Sequence, residues 1–197
     1  MLSRLSKEDR QFWFSWSILT GAGSIAGILL LTLAFNLITL PVEGGSESSE
    51  SLSLPLLIAS LLVYAIPGGM IGFGQWFELR NLLPRAGLWI LITAVGWVLG
   101  FGLGNLAFGI FDGLPALLLI SVPLVAIGIL SGLGQWMYLR RFWSDTAPWI
   151  VVAILVSVIG GFSWLIAGAV GGAIGWVIAG AISGYALIIL RDRSPRS

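Results

Sequence analysis

Charged residues fall in clumps along this chain, and long apolar runs separate the clumps. Residues 1–11 are polar and carry Arg4, Lys7 and Arg10. Ser6, followed by Glu8 and Asp9, reads as a helix start with acids in the first turn. Residues 12–40 then pass 29 positions without a charge. That run is longer than a signal-peptide core of roughly 7–15 residues and lacks a small-residue cleavage site, so it reads as an uncleaved first membrane helix. Residues 41–53, PVEGGSESSESLS, are acidic and rich in serine and glycine, which reads as an exposed loop. A second helix is expected over 55–79, opened by Pro55 and kinked near Pro67, Gly68 and Gly69. A third is expected over about 86–111, with a tight turn at Asp112 and Gly113. A fourth is expected over 115–139, with Asp145 or Thr146 capping the helix after it. The last run, 148–190, has 43 residues without a charge. One spanning helix needs about 20 residues, so this run reads as two helices with a turn near Gly168–Gly172.

The basic residues then set the orientation. With six helices and both termini on one side, Arg4, Lys7, Arg10, Arg80, Arg85, Arg140, Arg141, Arg191, Arg193 and Arg196 all face that side, while the opposite loops carry only Glu43, Glu47, Glu50 and Asp112. Positive residues stay cytoplasmic, which places both termini there. Anionic lipid headgroups are the expected contacts of the arginines.

A repeat underlies the pattern. Gly72-Phe73-Gly74-Gln75-Trp76-Phe77-Glu78-Leu79-Arg80 returns as Gly132-Leu133-Gly134-Gln135-Trp136-Met137-Tyr138-Leu139-Arg140. Residues 54–90 align on 114–150 without a gap and match at 12 of 37 positions, which points to duplication. The expected fold class is an all-α membrane protein. Its six transmembrane helices form one domain over 1–197, as three parallel-repeat hairpins at about 12–80, 86–140 and 148–191. Each hairpin enters near Trp16, Trp89 or Trp149 and returns to Arg80, Arg140 or Arg191. The third copy reads as eroded, because its end, Ala186-Leu187-Ile188-Ile189-Leu190-Arg191, has no Gln-Trp. The symmetry axis is expected along the membrane normal, with pseudo-threefold order. Gly168, Gly172, Gly180 and Gly184 lie four apart, with Trp176 in the remaining slot. They read as a helix-packing face, on which backbones approach closely.

Composition agrees with a lipid solvent. Apolar residues make up 57% of the chain, charged ones 10%, and mean hydropathy is +1.00. A soluble domain has about a quarter charged residues. The net charge of +1 argues against a nucleic-acid partner. With no cysteine and no histidine, the thiolate ligands, the commonest metal ligand and the usual general base are all missing. No catalytic set, metal spacing or cofactor signature stands out. The glycines at 100, 102 and 104 lie inside an apolar span without a strand, unlike a dinucleotide loop.

The candidate polar site is therefore small: Gln75, Trp76, Glu78, Arg80 and Asn105 with Gln135, Trp136, Tyr138 and Arg140. The plainest reading of the two glutamines is interhelical hydrogen bonding; the sharper one is a polar pocket where the two repeats bring equivalent amides together. Trp76 and Trp136 read as interface anchors and Glu78 as a partner of Arg80 or Arg85. No charge lies near the bilayer centre, where proton relays and ion pathways usually carry one.

The G-x-G-Q-W-x-x-L-R unit resembles a group of uncharacterised polytopic membrane proteins of bacteria, cyanobacteria among them. So do the P-R-A-G-x-W turn at 84–89 and the closing G-G-A-I-G-x-x-x-x-G-A-I-S-G-x-A helix. The likeness covers roughly 55–191, and the second copy departs at Ser144-Asp145-Thr146-Ala147. It implies a prokaryotic membrane location: the bacterial inner membrane, or the thylakoid if the source is cyanobacterial. No activity attaches to the group, so no functional residue is carried over. Two functions remain. One is a non-enzymatic accessory, assembly or structural subunit acting through helix packing, with a membrane protein partner or a second copy. The other is a small-solute transporter or the substrate-binding membrane subunit of one. A water-accessible cavity lined by Gln75, Gln135, Glu78 or Asn105 would separate them.

Overall fold

The computed structural model describes residues 5–38, 63–110, 113 and 115–194. The acidic loop, the first turns of the second expected helix and Asp112 lie outside the described residues. What is described is all-helical: α1 Lys7–Ile38, α2 Ala65–Leu79, α3 Gly87–Ile110, α4 Ala116–Leu139 and α5 Pro148–Arg193. Four stretches are long and apolar enough to cross a membrane: Lys7–Ala34, Gly87–Ile110, Leu117–Leu139 and Pro148–Arg193.

The last two expected helices are one helical run with a break inside it, which corrects the count to five among the described residues. Ala167 (φ −131°, ψ 20°) and Gly168 (φ 57°, ψ −147°) leave helical geometry. The chain reverses there. A Cβ on Gly160 would lie 2.5 Å from the ring of Trp176. In a straight helix those residues stand about 24 Å apart. Gly168 is thus the break itself, with open space around it, and not a packing residue. Gly172, Gly180 and Gly184 do face neighbours: Trp164, then Ser17 and Thr20, then Trp16.

Local chemistry explains several ends. The Ser6 hydroxyl accepts the Asp9 backbone N–H at 3.1 Å and donates to its carboxylate at 2.7 Å, starting α1 as expected. Pro67 lies in the first turn of Ala65–Leu79, where a missing N–H is tolerated, and the chain makes a turn at Tyr64 just before. Pro148 occupies the first turn of α5, but the cap is Ala147 and no side chain bonds there, so neither Asp145 nor Thr146 serves as a cap. Asp145 instead takes φ 52°, matching Arg85 at φ 55° in the α2–α3 turn. Both turns carry the same backbone bonds: Leu82 to Leu79 and Phe142 to Leu139, each at 2.9 Å.

The helices pack in chain order, α1 on α2, α2 on α3, α3 on α4 and α4 on α5, and α5 closes back on α1. The first half of α5 meets α4, with Gly128 against Ile154, and the second half meets α1, with Gly180 against Ser17. The buried stripe of α3 is Trp89, Thr93, Gly96, Trp97, Gly100, Gly104 and Ala107. Its outer stripe is aliphatic: Leu91, Leu99, Leu103, Leu106 and Ile110 are 49–71% exposed. Small, hydroxyl and indole groups lie inside and leucines outside, an order that suits a hydrocarbon solvent rather than water.

Candidate functional site

Three buried tryptophans meet inside the ring. Trp16 comes from the third turn of α1, and Trp89 and Trp149 from the first turns of α3 and α5; all are 0–3% exposed. The rings of Trp16 and Trp89 are 6.3 Å apart at 71°, and those of Trp89 and Trp149 are 5.6 Å apart at 56°. A buried indole N–H needs an acceptor. Trp89 Nε1 donates to Gln75 Oε1 at 2.8 Å, and Trp149 Nε1 donates to Gln135 Oε1 at 2.9 Å. The two bonds are related by the 60-residue offset of the sequence motif. Trp16 Nε1 donates to Ser183 Oγ at 2.9 Å. In each case an indole on one helix is held by the helix beside it: α3 by α2, the first half of α5 by α4, and α1 by the second half of α5.

Each glutamine also holds the helix on its other side. Gln75 Nε2 donates to Thr20 Oγ1 of α1 at 3.3 Å, and Gln135 Nε2 donates to Thr93 Oγ1 of α3 at 3.0 Å. The indole donors require the amide oxygen on their side, which fixes the orientation of both carboxamides. Ser183 has no amide to donate, and the position corresponding to Thr20 and Thr93, four residues after the tryptophan, is Ala153. Donor and acceptor are missing together, so no buried amide or hydroxyl is stranded by the exchange. One turn further along the returning helices stand Leu79, Leu139 and Leu187, each at most 1% exposed. They join a cluster with Phe12, Leu83, Ala86 and Tyr138 that fills the end where the arginines lie.

The other predicted residues have separate places. Trp76 and Trp136 are half-buried, under the guanidinium groups of Arg80 at 5.2 Å and Arg140 at 4.8 Å. Tyr138 Oη donates to the Pro84 carbonyl at 2.6 Å, tying the end of α4 to the α2–α3 turn. Glu78 is half-buried and pairs with neither Arg80 nor Arg85; the ion pairs among the described residues join Arg191 to Asp9 and to Asp192. Asn105 is exposed on the outer face of α3 beside Leu99, Leu103 and Leu106, away from the glutamines.

Beside this belt of bonded indoles, amides and hydroxyls is a polar space of about 30 Å³, lined by Gln75, Thr93, Ser131, Gln135, Ser157 and Ser183 and bounded by Trp97 and Trp176. That is room for a few water molecules at most. The groups around it are neutral amides and hydroxyls. They can orient and hold a small polar molecule but supply no general base. Among the described residues no cluster of His, Cys, Asp or Glu could hold a metal.

Sequence reasoning reached the two glutamines and missed their partners Thr20 and Thr93, and Ser183 with them. A signal existed. Gly180-x-x-Ser183-x-x-x-Leu187 has the spacing of Gly72-x-x-Gln75-x-x-x-Leu79 and of Gly132-x-x-Gln135-x-x-x-Leu139. In comparisons with protein families, curated proteins and solved structures, nothing matches this chain.

Proposed function

We propose that the chain is a six-span membrane protein made of three hairpins around a pseudo-threefold axis, working as a non-enzymatic accessory or assembly subunit through helix packing. The observation that carries this reading is the belt. Its glutamines, threonines, indoles and the Ser183 hydroxyl are engaged in bonds that close the ring, with exposures of 0–6%. A protein that moves a polar solute keeps such groups free along a path. The break at Ala167 and Gly168 and the reversal of α5 support counting that helix as two spans. The shared offset of the Trp–Gln bonds, of Arg85 and Asp145, and of the turn bonds supports the repeat. Close approaches line the ring, as where a Cβ on Gly96 would meet the Ser131 backbone at 2.7 Å, and support glycine packing. The proposed setting is a bacterial inner membrane with both termini cytoplasmic, in keeping with the group the sequence resembles. There the described cations, gathered at one end, contact anionic headgroups.

The transporter reading needs a cavity. The space touching Gln75 and Gln135 holds a few waters at most and is walled by apolar clusters on both sides, so it favours the structural reading. Purification from native membranes in mild detergent, followed by mass spectrometry, tests the proposal. A stoichiometric membrane partner is expected. A chain isolated alone with a bound polar solute would overturn it.

A further inference from the structure

The axis contains a second, larger void. Beyond Trp97 and Trp176, on the side away from the belt, lies an apolar chamber of about 290 Å³. Every helix contributes to its wall: Leu31 from α1, Pro67 from α2, Phe101 from α3, Leu124 from α4, and Trp164 and Trp176 from the two halves of α5. It is therefore encircled by helices, unlike the grooves beside Leu99 and Leu130 on the outer face of α3 and α4. Among the described residues, Ser157 is the one polar side chain on the wall apart from the indoles.

Three kinds of content can be compared. Water needs two to four polar partners per molecule, and this wall offers the Ser157 hydroxyl and the indole N–H of Trp164, which has no partner among the described residues. A polar solute would give up its hydration for one hydroxyl and an indole N–H, too few groups to replace it. An empty chamber loses the dispersion contacts of its whole lining, at about twice the volume of engineered apolar cavities (~150 Å³) that bind benzene. Hydrocarbon matches this largely apolar wall best, and a bilayer surrounds the helices with it. The chamber is not sealed, so a tail can enter while a polar head stays outside.

We propose that this chamber binds one aliphatic chain of a membrane amphiphile, supplied by a phospholipid or by a free fatty acid. The proposal rests on the membrane-spanning reading. The test reconstitutes the full chain in phosphatidylethanolamine–phosphatidylglycerol vesicles containing a phospholipid with a diazirine near the end of one acyl chain. A parallel set contains the diazirine fatty acid. After irradiation and digestion, adducts are mapped by mass spectrometry. We expect adducts at Phe101, Trp164 or Trp176 in addition to the outward Leu103 and Leu117, and their loss from the chamber in Leu31→Trp and Ile120→Trp with the outward ones retained. Chamber adducts from the phospholipid, or from the fatty acid alone, each uphold the proposal and name the source. Outward adducts without chamber adducts overturn it and leave the membrane reading standing. Chamber adducts undiminished in both filled variants also overturn it, and adducts at neither place overturn both readings.

Discussion

Gln135 shows how one residue ties three helices together. On α4, it accepts from Trp149 on α5 and donates to Thr93 on α3. Removing its carboxamide strands an indole N–H in a site 5% exposed and takes a donor from the Thr93 hydroxyl, which keeps its own bond to the Trp89 carbonyl at 2.8 Å. Gln135→Leu is therefore expected to destabilise the fold by about 1–3 kcal/mol, the cost of a buried unsatisfied donor. Trp149→Phe removes the donor from the other side. In a double-mutant cycle read by thermal or denaturant unfolding, the pair is expected to cost less than the sum, by about 0.6–1.7 kcal/mol, the range for polar pairs between membrane helices. Additive effects would mean that the bond contributes nothing. Asp145 is legible only in part. Its type tolerates a left-handed backbone, but Arg85 at the same place in the other turn does not advertise one.

At the scale of elements, glycines divide into those facing a helix and those facing open space. A Cβ on Gly23 would lie 2.5 Å from the Met70 carbonyl oxygen, and one on Gly96 2.7 Å from the Ser131 backbone. A Cβ on Gly109 would meet nothing within 4 Å. Gly96→Ala is thus expected to lower the melting temperature. Gly109→Ala is expected to leave it unchanged or raise it, since alanine favours a helix by about 1 kcal/mol. Unfolding of the two variants side by side checks the contrast, and equal effects would refute the packing assignment. Gly168 is different: its φ of 57° with ψ −147° is open to glycine and costly for other residues. Gly168→Val is expected to destabilise the reversal by about 1–3 kcal/mol, measured in the same assay. A long charge-free run announced that the helix had to turn, because it was twice the needed length. The site of the turn was readable only to within a few residues, because several glycines stand close by and any of them could have supplied it.

For the whole molecule, orientation is the testable property. The chain has no cysteine, so introduced ones report without background. In intact cells, Ser48→Cys is expected to react with an impermeant thiol reagent and Ser144→Cys is not; the reverse pattern would overturn the proposed topology. The ends of the ring are joined near the second of these sites: Arg191 pairs with Asp9, and Ser194 Oγ accepts from the Ser144 backbone N–H at 3.0 Å.

The sequence by itself determined the solvent, the helical class and the clustering of cations, because hydropathy, run length and charge placement are local properties that survive any arrangement of helices. It also marked Gln75 and Gln135, because a motif written twice is visible without a structure. Tertiary structure alone decided which groups those amides meet. Thr20 lies 55 residues from Gln75 and Ser183 lies 167 from Trp16, and only closure of the ring brings them within 3.3 Å. It also decided that the Trp16 indole is held by the Ser183 hydroxyl where Trp89 and Trp149 are held by amides, and that the interior beyond Trp97 and Trp176 is hollow. Pairing and voids are properties of the space between helices, and no single helix carries a record of them.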